Sequence, residues 1–78
     1  MTIKIQSGKK GPVRALTLEG RLVYPEGTAR LRDTVRQQIA AGDTSFVLDL
    51  LEVEFVDSAG LGEVVATFKR ARERGGEV

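Results

Sequence analysis

The feature that most constrains this fold is the stretch Phe55–Gly62, in which an apolar run passes directly into the pattern of an amphipathic helix. Ser58 stands at the junction, with Asp57 before it and small residues after it. A helix that begins here places free backbone N–H groups and the positive end of its dipole at the serine. The backbone would partly solvate a phosphate on Ser58. We therefore interpret Ser58 as the functional residue that the rest of the chain presents.

The composition excludes several classes of function. The chain has 78 residues, no cysteine, no histidine, and 12 basic against 11 acidic residues. Disulfides, a Ser-His-Asp triad and the usual zinc sites are therefore excluded, and no strong net charge indicates nucleic acid. No segment is typical of a signal peptide or of a membrane span. We expect residues 1–78 to form one cytoplasmic domain. We also expect that it binds no metal or cofactor and is not an enzyme.

The first half of the chain predicts a hairpin followed by a helix. Alternating residues predict strands at Thr2–Ser7 and Val13–Gly20, and the turn Gly8–Pro12 makes the pair antiparallel. After the connection Arg21–Gly27, a helix is predicted from about Thr28, whose hydroxyl would cap it. Its apolar stripe recurs every four residues, and a C-terminal glycine ends it. The stripe and the glycine are Leu31, Val35, Ile39 and Gly42.

The second half predicts one more strand and one more helix. The apolar run Phe46–Leu51 is typical of a strand covered on both faces. The helix that follows is predicted to extend to about Arg74 and to end at Gly75-Gly76. Its predicted core stripe consists of Leu61, Val64, Val65, Phe68 and Ala71. Glu77-Val78 would then be the first step of another strand.

These elements predict an α/β fold in the order β-β-α-β-α, with both helices on one face of a mixed sheet. The sequence stops at Val78, where a further strand would begin. We therefore expect a fragment that lacks a last strand and a C-terminal helix. Such a fragment would expose apolar surface and an open sheet edge, through which it could form a homodimer or aggregate.

Two interpretations of Ser58 remain open from the residues alone. Serine and aspartate are common helix N-caps, and Asp57 can act as the cap, orient the hydroxyl, or do both. Glycine early in a helix lowers its stability by about 1 kcal/mol relative to alanine. Helix stability therefore does not explain the small residues after Ser58, which are Ala59, Gly60 and Gly62. We interpret them as leaving room for another protein's active site at Ser58.

The segment Tyr24–Gly27 is a second candidate for partner binding. It follows the second strand, and connections at the C-terminal edge of a parallel sheet commonly bind ligands and partners. The segment is equally well explained as a turn that starts a helix. Tyr24 and Glu26 are its candidate contact residues.

Taken together, these residues resemble the STAS domains, specifically the bacterial anti-sigma factor antagonists. The resemblance rests on Phe46–Leu50, on Val53–Gly62 with its Asp-Ser-x-Gly unit, and on the tail Ala71–Val78. The glycine-ended strand Leu16–Gly20 and the helix containing Leu31 and Val35 follow in matching order. The resemblance therefore covers nearly the whole chain.

The resemblance implies a regulatory switch. In the family, the serine matching Ser58 is phosphorylated by an anti-sigma factor that is itself a serine kinase. The unphosphorylated domain binds that kinase and frees a sigma factor, and a phosphatase of the PP2C type restores the serine. The site residues implied here are Ser58 as the phosphoacceptor, with Asp57, Ala59, Gly60, Leu61, Gly62, Tyr24 and Glu26 around it.

The chain departs from the family pattern in two places. Antagonists often carry an aspartate after the second strand, where this chain has Val23, with Glu26 as a candidate substitute. Family domains also continue through another strand and a C-terminal helix. The alternative is a STAS module that serves as a scaffold in a sensor complex or as an accessory subunit of a lipid or anion transporter, without phosphorylation of Ser58.

Overall fold

The computed structural model describes residues 3–78, which form a three-stranded sheet and two helices. The elements are β1 (Ile3–Lys10), β2 (Val13–Leu22), α1 (Glu26–Ala40), β3 (Ser45–Val56) and α2 (Ser58–Glu73). The strand order is β1-β2-β3, with β1 antiparallel and β3 parallel to β2. The predicted α/β class and element order are confirmed. Thr2, at which the first strand was predicted to begin, lies outside the described residues.

The hairpin is longer and its turn tighter than predicted. Lys10 pairs with Val13, so the turn contains only Gly11 and Pro12 instead of the whole segment Gly8–Pro12. Gly11 has a φ of +58°, which glycine adopts without steric cost. At the other end β2 continues past Gly20, because Leu22 is fully buried and keeps the strand on the core.

The core lies between the sheet and the two helices. Its buried apolar residues are Ile3, Leu16, Leu18, Leu22, Leu31, Val35, Phe46 and Ala71. The predicted stripe of α1 is confirmed, with Ile39 partly buried against this core. Burying a side chain of this size stabilises the fold by roughly 1.5–3 kcal/mol. Gly42 has a φ of +106° directly after α1 and ends the helix as predicted.

The start of α1 differs from the prediction. The helix begins at Glu26, and Gly27 is already inside it. Thr28 is buried, and its hydroxyl donates to the carbonyl of Pro25 at 3.1 Å, so it does not cap the helix. Gly27 lies so close to β2 that a Cβ there would be 2.8 Å from the carbonyl oxygen of Arg21. The connection is therefore shorter than the sequence indicated.

β3 is an edge strand, and the prediction that it is covered on both faces is wrong. Val47 is 51% exposed and Leu51 85% exposed. The pairing with β2 shifts register twice along the strand. At the first shift the Asp49 carboxylate accepts from the backbone N–H of Leu51 at 3.0 Å. Val47 precedes both shifts and faces outward by the ordinary alternation of the strand, and the first shift breaks that alternation between Asp49 and Glu52.

The free side of β3 is paired at one point. The backbone N–H of Phe46 donates to the carbonyl of Glu77 at 2.8 Å. The tail returns to the sheet so closely that a Cβ on Gly76 would overlap the backbone of Thr44. Glu77-Val78 therefore lies where a strand beside β3 would start, although it forms no strand among the described residues.

α2 packs through a different face from the one predicted. Its buried residues are Gly60, Glu63, Thr67 and Ala71. Of the predicted core stripe only Ala71 is buried and Val64 partly buried, whereas Leu61, Val65 and Phe68 are exposed. The buried face also carries a charged group. The Glu63 carboxylate accepts from Arg32 on α1 at 3.4 Å and from Arg70 at 2.8 Å, which ties the two helices together.

A second ion-pair cluster closes the end of the sheet at which β2 and β3 begin. Asp43 is 3% exposed and accepts from the Nζ of Lys9 at 2.6 Å and the Nε of Arg14 at 2.9 Å. Hydrogen bonds from Lys9 and then from Arg14 hold the pKa of Asp43 below its usual value. The cluster links the hairpin to the α1–β3 loop, at the opposite end of the sheet from Ser58.

Candidate functional site

Ser58 lies at the carboxyl end of the parallel pair β2–β3. Leu22 pairs with Val56 at the last position of that ladder, and Ser58 follows as the first residue of α2. The serine is exposed. The loop after β2 and the start of α2 leave the sheet at the same edge, which is where α/β proteins place their binding sites.

Asp57 joins these two segments. Its Oδ1 accepts from the backbone N–H of Gly60 at 2.7 Å, and its Oδ2 accepts from the backbone N–H of Tyr24 at 3.0 Å. The first bond makes Asp57 the N-cap of α2, as the sequence allowed. The second bond, which no sequence signal indicated, fixes the β2–α1 loop beside Ser58.

The two bonds also settle the electrostatic state of Asp57. The hydrogen bonds from Tyr24 and then from Gly60 hold the pKa of the Asp57 carboxyl below its ordinary value. In the described part of the chain, no hydrogen bond joins this carboxylate to the Ser58 hydroxyl. The carboxylate therefore acts on the backbone around the serine.

The two glycines of α2 have different environments. Gly60 is buried, and a Cβ there would lie 2.1 Å from the carbonyl oxygen of Leu22 and 3.0 Å from a methyl group of Val56. A Cβ at Gly62 would have no neighbour within 4 Å. Gly60 is therefore required by the packing of α2 on β2, and its place in a partner-binding surface stays a prediction. Gly62 is exposed and has no such internal cause.

The structure brings Tyr24 to the site. Its side chain is 70% exposed, and its backbone is held by Asp57. Glu26 is exposed in the first turn of α1, two residues further on. Val23 is half-buried, and its carbonyl accepts from the backbone N–H of Gly27 at 2.8 Å. The position of the family aspartate is thus occupied by an apolar side chain in the loop.

An apolar groove of about 290 Å³ opens beside Ser58. It is lined by Leu50, Val56, Asp57, Ser58, Leu61 and Val64. Sequence reasoning did not identify Leu50 and Val56 as site residues, because apolar residues of a strand are first assigned to the core. The groove offers apolar surface with a hydroxyl at its rim, an arrangement suited to binding a protein surface.

The described residues offer little for metal or membrane chemistry. Among residues 3–78, no group of three potential acidic ligands lies close enough together to hold a metal ion. Neither of the two helices has the length and apolarity that a membrane span requires.

The replacement of Asp57 by asparagine separates its two hydrogen bonds. Asparagine is also a good N-cap, but its NH₂ group would face the N–H of Tyr24, donor against donor. We expect Asp57→Asn to keep α2 intact while the amide of Tyr24 exchanges its hydrogen faster, as measured by NMR. Equal exchange in both proteins would contradict the role given to Asp57.

The same variant tests the pH dependence. Because the folded-state pKa of Asp57 is lowered from about 3.8, its contribution to stability is present above the unfolded pKa and is lost as pH falls through the folded one. Asp57→Asn should therefore unfold with a weaker acid dependence than the parent chain. An unchanged acid titration of unfolding would argue against the lowered pKa.

Comparisons with known proteins match the family and the fold. The family model described as Mlab, STAS domain, matches residues 5–78. No curated protein sequence matches the chain. Among solved structures, an anti-sigma factor antagonist from Mycobacterium paratuberculosis is similar with a TM-score of 0.77 and 23% identity, over 88% of this chain and 58% of that one. This chain therefore spans little more than half the length of that protein.

Two further structures show the same fold. The anti-sigma factor antagonist SpoIIAA in its unphosphorylated form has a TM-score of 0.77 and 20% identity, over 94% of this chain and 67% of that one. The STAS domain of an antisigma-factor antagonist from Rhodobacter sphaeroides has a TM-score of 0.68 and 21% identity, over 99% of this chain and 83% of that one.

Proposed function

Because this chain belongs to the STAS domain family, we propose that it acts as an anti-sigma factor antagonist. In this proposal the unphosphorylated domain binds an anti-sigma factor serine kinase and so releases a sigma factor. Phosphorylation of Ser58 by that kinase ends the interaction, and a PP2C-type phosphatase restores it. The protein works in the cytoplasm as a binding module, and the ATP belongs to the kinase.

The observation that carries the proposal is the position of Ser58 at the rim of the apolar groove. The serine is exposed at the first position of α2, within reach of another protein's active site. A phosphate adds roughly −1.5 to −2 charges at neutral pH. Placed beside an apolar surface and the ionised Asp57, it would oppose binding through desolvation and like-charge repulsion.

Tyr24 extends the proposed contact surface. Its exposed ring lies on the loop that Asp57 holds beside Ser58. Exposed tyrosines are enriched at protein interfaces, because the ring gives a large contact area with little loss of conformational entropy. We propose that the kinase contacts Tyr24, Ser58, Leu61 and Gly62 together. Ala59 and Glu26 lie at the edge of this surface.

The solved structure of SpoIIAA in the phosphorylated form supports the comparison at the level of the fold. That structure has a TM-score of 0.76 and 20% identity to this chain. Structures of this relative are known in the unphosphorylated and in the phosphorylated form.

The test is mass spectrometry of the protein from its native host, before and after treatment with a PP2C-type phosphatase. We expect a phosphate on Ser58 that the phosphatase removes. The matched control is Ser45, which is half-buried at the start of β3 and should carry no phosphate. If Ser58 stays unmodified when candidate anti-sigma kinases and ATP are supplied, the proposal fails.

A second candidate function is a STAS module that scaffolds a sensor complex or serves a lipid or anion transporter. Two observations favour it: Val23 occupies the place of the family aspartate, and the apolar groove can bind a partner without any phosphate. In that case partner capture would be indifferent to the modification of Ser58. Recovery of a sensor or membrane complex with an unmodified chain would select this function.

A further inference from the structure

A groove of about 320 Å³ lies between the C-terminal halves of α1 and α2. Three arginines, one glutamate and two apolar side chains line it. These residues are Arg36, Ile39, Ala40, Arg70, Glu73 and Arg74, and we call the site the α1–α2 groove. Its arginines exceed its glutamate by two positive charges, although the whole chain has a net charge of only +1. A surplus of positive charge is therefore gathered in one concave place.

The arginines of the two helices stand in like-charged pairs. Arg36 follows Arg32 by four residues on α1, and Arg74 follows Arg70 by four residues at the end of α2. Residues four apart are neighbours on a helix surface, so like charges at this spacing destabilise the helix. The Glu63 carboxylate is shared by Arg32 and Arg70, at 3.4 and 2.8 Å. In the part of the chain that the structure describes, Arg36 and Arg74 form no ion pair.

The helix dipole explains only some of these cations. Arg70 lies in the last turn of α2 and Arg74 is its C-cap, where a positive charge is favourable. The last turn of α1 carries no basic residue, and Arg36 lies before that turn. Helix stability therefore does not explain why Arg36 lines the same groove as Arg70 and Arg74. An anion between the helices would offset all three charges.

Arg70 is already held in place for such an anion. Its side chain is 24% exposed, and its guanidinium donates to Glu63 at 2.8 Å. A guanidinium has five N–H donors, so others stay available to a ligand. Because the group is fixed before binding, less conformational entropy is lost when the ligand arrives. Arg36 and Arg74 are exposed, one on each side of the groove, and can close on the ligand.

We propose that the α1–α2 groove binds a small soluble phosphate compound, with Arg36, Arg70 and Arg74 as the ligands of its phosphate. The planar guanidinium matches phosphate oxygens and binds them in pairs. A phosphate monoester carries roughly −1.5 to −2 charges at neutral pH, which matches the surplus of the groove. Glu73 would repel the phosphate, but the arginines outweigh it. The two apolar side chains of the groove offer contact to the organic part of the ligand.

The distribution of charge favours a small ligand over a polyanionic surface. Nucleic acids and anionic membranes attract proteins through many basic residues, and this chain has almost no net charge. A groove of about 320 Å³ has the size of a small-molecule site. The site is also separate from the proposed phosphorylation switch, because Ser58 begins α2 and Arg74 caps its other end. Its test therefore does not depend on whether Ser58 is phosphorylated.

Titration of the isotope-labelled chain with sodium pyrophosphate, followed by NMR at constant ionic strength, tests the proposal. We expect saturable shifts at Ile39 and at the Nε–H of Arg70, with a Kd between about 10 μM and 1 mM. Arg74→Gln should weaken binding at least about tenfold, because it removes a charged ligand of the phosphate. The matched control is Arg72→Gln, an exposed arginine of α2 outside the groove, which should bind within about twofold of the parent chain. Equal weakening by the two variants, or no saturable binding, would overturn the proposal.

Thermal unfolding provides a second readout. A ligand that binds only the folded chain raises its Tm as the ligand concentration rises. We expect pyrophosphate to raise the Tm of the parent chain and of Arg72→Gln, but not that of the double variant Arg36→Gln/Arg74→Gln. The double variant should stay folded, because both arginines are exposed and form no ion pair in the described residues. An equal rise in all three proteins would indicate a general anion effect and no site in the groove.

Discussion

Replacement of Gly60 by alanine is expected to destabilise this protein more than any other alanine substitution on α2. The new Cβ would lie 2.1 Å from the carbonyl oxygen of Leu22. That atom belongs to the backbone of β2 and accepts from the backbone N–H of Asp57 at 3.4 Å, so α2 must move away from the core. Overpacking of this kind costs typically 1–3 kcal/mol, and a core of this size supplies only a few kcal/mol in total.

Gly62→Ala is the matched control for this prediction. Both variants add one methyl group to α2, two residues apart, and Gly62 has open space around it. Gly62→Ala should raise the free energy of unfolding by up to about 1 kcal/mol, since alanine favours the helix. Chemical denaturation of the three proteins measures both effects. Equal stabilities of the two variants would mean that α2 does not pack on Leu22.

The second large effect that we expect is the loss of partner binding when a negative charge is introduced at position 58. Ser58→Asp places a carboxylate at the rim of the apolar groove, beside the ionised Asp57. We expect it to weaken binding of the anti-sigma kinase by at least about 100-fold, or about 2.8 kcal/mol. Ser58→Ala should bind within about threefold of the parent chain, because it removes one exposed hydroxyl and adds no charge.

Calorimetric titration of the kinase with the three proteins measures these affinities. Neither variant is expected to unfold the chain, since Ser58 is exposed and Asp57 supplies the N-cap. Gln6→Glu, at an exposed position of β1, is a charge control outside the site. If Ser58→Asp and Ser58→Ala bind equally well, Ser58 is not a switch, and the scaffold function becomes the better explanation.

The sequence was most informative where the physics is local. Three features depend only on neighbours a few residues away. They are the apolar period of α1, the alternation of apolar and polar residues in β1 and β2, and the glycines at the helix ends, Gly42 and Gly75. The start of α2 at Ser58 was predictable for the same reason. An aspartate that accepts from the N–H three residues later is a local arrangement.

The sequence-based predictions were wrong where contacts between distant segments determine which residues are buried. The apolar residues of α2 were assigned to the core, but the helix begins so close to β2 that only a glycine, Gly60, fits there, and Glu63 and Thr67 share its buried face. The run in β3 was predicted to be covered on both faces, yet β3 lies at the edge of the sheet and Val47 and Leu51 are exposed. An apolar side chain tends to be buried, but the sequence pattern does not show which segment of the chain buries it.

The sequence by itself determined the order of the elements, the fold class and the serine at the head of α2, because propensity and periodicity act over a single turn or strand. Only the tertiary structure decided which face of α2 is buried and which is exposed. It also decided that Asp57 holds Tyr24 beside Ser58, a contact between residues 33 positions apart. Such contacts depend on how strands and helices pack, and packing is set by the whole chain at once.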